Sequence, residues 1–141
     1  MNFGQYAQQL AYELSGTYAI GAGLVDVETE AEEIELSVHR AIPCGLILNE
    51  LLSNALKYAF PDGRSGEIKV RFFRLESGEL SLSCIDNGVG MPEGFDWENS
   101  PSLGLRIVRI LTKQIDGKLT LDRGGGGTRF ELRFPAAGDE S

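Results

Sequence analysis

The segment from Ala41 to Tyr58 constrains this chain most. Cys44, Leu48, Leu51, Leu52, Ala55, Leu56 and Ala59 recur at three- and four-residue spacing, so on a helical period they share one face. Glu50, Ser53, Asn54 and Lys57 gather on the opposite face. Pro43 suits a first helical turn, where its missing N–H costs nothing, and Pro61-Asp62-Gly63 ends the segment with breaker chemistry. The expectation is an amphipathic helix with a chemically distinct polar stripe.

The flanking segments supply strands and two further helices. Phe3, Tyr6, Ala7, Leu10 and Leu14 predict a helix over 3–14. Residues 24–28 and 33–38 read as two short strands around an acidic turn. Residues 67–75 and 79–86 read as strands joined at Ser77-Gly78. In the second of these, Leu80, Leu82 and Cys84 alternate with Ser81 and Ser83. Asp86 shares the inward parity, and a carboxylate pointing inward needs a partner. A loop of roughly 15 residues follows, from Asn87 to Pro101, long enough to be a lid or binding loop. It carries Gly88, Gly90, Pro92 and Gly94. Gly104, Ile107, Val108, Leu111 and Ile115 form one stripe of a helix over 103–115. A strand over 118–122, a glycine turn over 124–127 and a strand over 128–134 complete the chain. In the last strand Thr128, Phe130, Leu132 and Phe134 face inward, and Arg129, Glu131 and Arg133 outward. No internal repeat or second domain is evident, and the tail 136–141 is expected to fray.

Composition narrows the class. The chain has 141 residues, 42% hydrophobic and 24% charged, which suits one soluble domain. No apolar run reaches the ~18 residues of a membrane span, and the first residues lack the basic start of a signal peptide. The net charge of -8 disfavours nucleic acid or direct contact with an anionic membrane. Cys44 and Cys84 sit in apolar runs and read as buried free thiols, so a cytoplasmic location fits best. The 18 glycines concentrate near residues 88–104 and 124–127, where backbone is expected to turn sharply or approach a ligand.

Four features carry chemistry. Glu50, Asn54 and Lys57 lie on one helical face at i, i+4 and i+7. Mg²⁺ takes oxygen ligands and usually keeps waters, so the Asn54 amide oxygen with phosphate oxygens would suffice; Glu50 can join through water. Lys57 can pair with a phosphate, and Glu50 can orient a nucleophile or accept its proton. Asp86 ends a strand pointing inward. A carboxylate there accepts from the exocyclic amino group of adenine and repels the guanine oxygen, a contact worth about 1.5–3 kcal/mol. Ser102-Leu103-Gly104-Leu105 opens a helix, and helix N-termini favour phosphate. Gly124 to Thr128 turns into the last strand, with Thr128 placed to bond Asp86 or a water on the base.

The order and spacing of these features resemble the histidine kinase branch of the GHKL ATPases. Asn49-Glu50-Leu51-Leu52-Ser53-Asn54-Ala55-Leu56-Lys57-Tyr58 is similar to its N box, and Asp86-Asn87-Gly88-Val89-Gly90-Met91-Pro92 to its first glycine box. Ser102-Leu103-Gly104-Leu105 is similar to its second glycine box, with Ser102 in place of the usual first glycine. Gly127-Thr128 resembles its terminal motif. The resemblance covers about residues 20 to 135 and implies a Bergerat-fold α/β two-layer sandwich: a mixed sheet, helices on one face and a flexible ATP lid. It also implies site roles. Asn54 is the Mg²⁺ ligand and Glu50 the general base. Lys57 meets phosphate, and Tyr58 lies near the ribose or base. Asp86 binds the adenine amino group, with Gly88, Gly90 and Met91 shaping its pocket and Thr128 supporting it. Ser102, Leu103, Gly104 and Leu105 approach the phosphates. Asn54 to Phe60 with Pro61-Asp62-Gly63 looks most like the HisKA_2 kinases, relatives of the HWE group. Asn49 stands where HWE proteins carry histidine, and Trp97-Glu98 is not their W-x-E arrangement.

His39 is the single histidine, and it lies just before the N-box helix instead of on an upstream dimerisation helix. The resemblance therefore implies an ATP-dependent protein-histidine kinase domain whose acceptor histidine lies elsewhere, on a dimerisation domain of a homodimeric parent, with a response regulator receiver domain downstream. Residues 1–15 are expected to be the tail of that dimerisation domain and 16–135 the catalytic unit. An anti-sigma-factor serine kinase of the same fold and a non-catalytic docking module are the alternatives.

Overall fold

A computed structural model describes residues 1–18, 25–61, 64–90, 96–123 and 126–136. The elements are α1 (Phe3–Tyr18), β1 (Val25–Ala31), α2 (Val38–Tyr58), β2 (Gly66–Arg74), β3 (Leu80–Asp86), α3 (Leu103–Gln114), β4 (Lys118–Asp122) and β5 (Thr128–Phe134), with a short 3-10 helix at Trp97–Asn99. The strands form one five-stranded sheet in the order β1-β2-β3-β5-β4. β1 and β2 pair in parallel and every other pair is antiparallel. A parallel pair needs a crossover, and α2 is that crossover, which lays it on one face of the sheet.

Strand alternation builds the core row by row. Phe72, Leu82, Leu132 and Leu119 stand side by side across β2, β3, β5 and β4, and Val70, Cys84, Phe130 and Leu121 form the next row. These rows meet Cys44, Ile47, Leu48, Leu51 and Leu52 from α2 and Val108 from α3 in one cluster. Phe72, Leu82, Leu132, Ile47, Leu48 and Leu52 are completely buried, each contributing about 1.5–3 kcal/mol. α1 belongs to the same layer. Phe3, Ala7 and Ala11 are buried in that cluster, and the Phe3 ring meets Phe72 edge-on at 5.0 Å.

The structure departs from expectation in four places. Residues 33–38 form no strand: Glu35 makes a single bridge to Asn2, flanked by bonds from Phe3 N to Ile34 O and from Leu36 N to Met1 O, and the paired backbone turns into α1 at Phe3. α2 begins at Val38, so Pro43 falls inside the helix, where it removes one i→i−4 bond. Ser53, assigned to the polar stripe, is buried. Glu131 does lie on the face away from the helices, yet it is only 9% exposed. It accepts from the Ser81 hydroxyl at 2.6 Å and is flanked by Arg133 at 3.2 Å and Arg129 at 3.8 Å. Burial works to raise its pKa, but Ser81 and the two guanidinium groups together hold it below the usual range.

Candidate functional site

The inward face of the sheet stops being apolar at its third row. There Ile68, Asp86 and Thr128 stand side by side. Asp86 is 9% exposed, and its Oδ1 accepts from the Gly88 N–H at 2.9 Å. Burial pushes its carboxyl above the usual range, against the backbone amides of Gly88 and Thr128, which favour the ionised form.

The turn after β3 is braced from both sides. The Asn87 side-chain oxygen accepts from Glu67 N at 2.8 Å, and Asn87 N donates to Glu67 O at 3.2 Å. Val89 N donates to the Ala59 carbonyl, at the end of α2, at 2.9 Å. The approach is so close that a Cβ on Gly88 would lie 2.2 Å from that carbonyl oxygen. Gly90 has φ +79, a conformation that favours glycine.

A cavity of about 580 Å³ opens between α2, the ends of β3 and β5, and the start of α3. α2 contributes Glu50, Asn54, Lys57 and Tyr58. β3 and β5 contribute Cys84, Asp86, Thr128 and Phe130, and the approach to α3 contributes Ser100, Ser102, Gly104 and Leu105. An apolar floor with a few convergent polar groups is what a small-molecule site requires. The Glu50 carboxylate lies directly against Gly104, where a Cβ would come 2.1 Å from Oε2. That places a negative charge at the first turn of α3, whose free N–H groups favour it. Ser102 caps the same helix, accepting from Leu105 N at 3.2 Å.

Ten of the thirteen sequence-predicted positions thus line one cavity: Glu50, Asn54, Lys57, Tyr58, Asp86, Gly90, Ser102, Gly104, Leu105 and Thr128. Gly88 does not line it but packs behind, against Ala59. Leu103 is 70% exposed, and its side chain does not line the cavity. Two residues along a helix turn by about 200°, so Leu103 and the buried Leu105 cannot share a face. Met91 lies outside the described residues. Sequence reading missed Cys84 and Phe130, which adjoin Asp86 and Thr128 in the inward rows, and Ala55 and Ala59, which share the α2 stripe. Strand parity was the available signal for the first pair. Burial pushes both the Cys44 and the Cys84 thiols up to about 12.

Comparison with known proteins bears on this arrangement directly. The family model of histidine kinase-, DNA gyrase B- and HSP90-like ATPases matches residues 39–138. The chain belongs to this ATPase family. It is 36% identical over 115 residues to blue-light-activated histidine kinase 2 of Erythrobacter litoralis, covering 82% of this chain and 33% of that protein. It is 38% identical over 103 residues to the sensor histidine kinase PdtaS of Mycobacterium tuberculosis, covering 71% of this chain and 20% of that protein. Its fold superposes on the histidine kinase domain of the Erythrobacter litoralis blue-light-activated kinase EL346 with a TM-score of 0.88, at 33% identity over 96% of this chain and 62% of that one. The chain is thus an ATP-binding catalytic domain of the histidine kinase type, and it spans a third or less of the curated relatives it matches. Among the described residues, no helix of this ATPase domain is long and apolar enough to cross a membrane.

Proposed function

We propose that this domain binds ATP with Mg²⁺ in the 580 Å³ cavity and delivers the γ-phosphate to a histidine on a separate dimerisation and phosphoacceptor domain. The observation that carries the reading is the buried Asp86 at one end of a cavity whose α2 wall presents Glu50 and Asn54. Asp86 accepts from the adenine amino group, and the Cys84–Phe130 floor packs against the base. Lys57 and the first turn of α3 attract the phosphates. Glu50 orients the attacking imidazole or accepts its proton. Among the described residues no cluster of three or more His, Cys, Asp or Glu side chains is arranged to hold a metal. The donor set therefore suits a cation shared with phosphate oxygens: Asn54 supplies one oxygen, and Mg²⁺ when bound neutralises phosphate charge.

The acceptor is not His39. That residue is exposed in the first turn of α2, eleven positions before Glu50, or about 16 Å along the helix axis. The reading includes a homodimeric parent, a response regulator receiver domain as the next acceptor and a cytoplasmic location for this domain. We place the catalytic unit from α1 through β5, because α1 shares its core. The relatives named above are histidine kinases, which favours this reading over a serine kinase or a docking module.

Calorimetric titration with ATP and GTP, with and without Mg²⁺, tests it. ATP should bind and GTP should not. Asp86→Asn should weaken ATP by about ten- to a hundred-fold, and Asn54→Ala should remove the Mg²⁺ dependence. A folded wild-type chain that binds no nucleotide refutes the reading.

A further inference from the structure

One side chain outside the nucleotide cavity pins the wall that the phosphates are proposed to meet. Arg109, on α3, donates from Nη1 to the Trp97 carbonyl at 2.8 Å and from Nη2 to the Ser100 carbonyl at 3.0 Å. A guanidinium presents its donors in a rigid fork, so two carbonyls three residues apart are fixed together; a lysine ammonium has no such fork. The bonds are charge-assisted, the stronger kind.

Ser100 passes this anchoring to the cavity. It lines the cavity, and its hydroxyl accepts from Ser102 N at 3.3 Å. The Ser102 hydroxyl caps Leu105 N at 3.2 Å, and its carbonyl accepts from Arg106 N at 3.1 Å. The other anchored residue, Trp97, packs edge-on against Phe130 at 6.1 Å, and Phe130 forms part of the cavity floor. The stem from Trp97 to Ser102 is therefore tied at one end to the floor and at the other to the α3 N-terminus. Arg109 itself faces a different, outer groove bordered by Trp97, Lys113 and Lys118, and it does not line the nucleotide cavity. Its removal cannot delete a direct phosphate contact.

We propose that Arg109 is a positioning residue for the polyphosphate: it holds the Ser100–Gly104 wall where the nucleotide phosphates meet α3. This rests on the ATP-site reading above. The prediction is specific, because the wall lies on the phosphate side and Asp86 on the base side. Loss of Arg109 weakens a nucleoside triphosphate and spares a nucleoside.

The test titrates ATP with Mg²⁺, and separately adenosine, into the full chain and its Arg109→Lys, Arg109→Met and Asp86→Asn variants. Emission from Trp97, the single tryptophan, serves as a second readout alongside calorimetry. Both Arg109 variants should bind ATP about tenfold more weakly, while adenosine affinity stays within about twofold of wild type. Asp86→Asn should lose ATP and adenosine alike. Wild-type ATP affinity in a folded Arg109 variant overturns the proposal. So does an equal loss of ATP and adenosine, which would make Arg109 a general support of the fold. If Arg109→Met melts early, Arg109→Lys decides, since it keeps the stem and the charge and loses only the fork. Failure of the wild-type chain to bind ATP refutes the underlying site reading instead.

Discussion

Replacing Gly88 with alanine tests how tightly the first glycine turn is seated on α2. The new Cβ would lie 2.2 Å from the Ala59 carbonyl oxygen and 2.7 Å from its carbon, both backbone atoms that cannot rotate away. Restoring ordinary contact requires the turn to retreat by about 1 Å, and overpacking of this kind costs about 1–3 kcal/mol. The same retreat stretches the 2.9 Å bond from Val89 N to Ala59 O beyond hydrogen-bonding range and strains the 2.9 Å bond from Gly88 N to Asp86. A buried polar group left unpaired adds about 1–3 kcal/mol. The sum, about 3 kcal/mol, should lower the melting temperature by about 10 °C. Gly90→Ala provides the contrast. Gly90 has the positive φ that marks a glycine as obligatory, yet its Cβ would meet nothing nearer than 3.4 Å. Its cost is the left-handed conformation alone, about 1–2 kcal/mol. Urea denaturation of both variants, read by circular dichroism, should rank Gly88→Ala as the more damaging. Adding Ala59→Gly should not rescue it, because the nearest clash is with a carbonyl. A reversed ranking, or a Gly88→Ala variant within about 1 kcal/mol of wild type, would refute the packing argument.

Two further outcomes follow from the titrating groups. Burial holds the Asp86 carboxyl above its usual range in the free domain, and the carboxylate is the form that accepts from adenine. Adenosine affinity should therefore be flat above that raised pKa and fall about tenfold per pH unit below it, with a midpoint above the ordinary carboxylate range; a profile that stays flat into that ordinary range would exclude Asp86 as the base reader. The linked effect on folding has the opposite sense: a raised folded pKa favours the folded state at low pH and that contribution is lost as pH rises through it, so Asp86→Asn should not lower stability at neutral pH. Because burial pushes Cys44 and Cys84 up to about 12, only about one thiol in ten thousand is ionised at pH 8, and both should react with a disulfide reagent no faster than the chain unfolds. Rapid modification of the folded chain would show the thiols to be exposed.

Periodicity made α2, β2, β3, α3, β4 and β5 legible, because each carries a full alternating or helical apolar set. Where it misled, a partner far away in sequence decided. Ile34 and Leu36 are buried, but their backbone pairs with Met1 and Phe3, where the facing segment turns into α1. The parallel pairing of β1 with β2 left no mark in either sequence, since it depends on α2 crossing between them. Glu131 read only as an outward-facing residue, whereas Ser81, on the neighbouring strand, and two arginines enclose it. The site was legible to the extent that its residues obey local geometry. Asp86 and Thr128 followed from parity, and Glu50, Asn54 and Lys57 from the helical period. The contact between Glu50 and Gly104 joins residues on different helices, and the Arg109 anchor depends on where a loop returns; neither had a local signal.

The bond between Ala59 and Val89 makes α2 a ruler. It fixes the base-reading end of the cavity to the last turn of that helix, and Glu50 stands nine residues back, about 13 Å along the axis. On the proposed reading a bound nucleotide lies along α2 with its base toward the C-terminal end and its phosphates toward Glu50. The interval between recognition and chemistry is then set by backbone rise and not by side-chain choice. The number of residues between 50 and 59 is then constrained as firmly as the identities of Asn54 and Lys57 within that interval. One inserted residue would advance Glu50 by about 1.5 Å and swing it about 100° around the helix, leaving the base pocket whole and the acid aimed away from the phosphates.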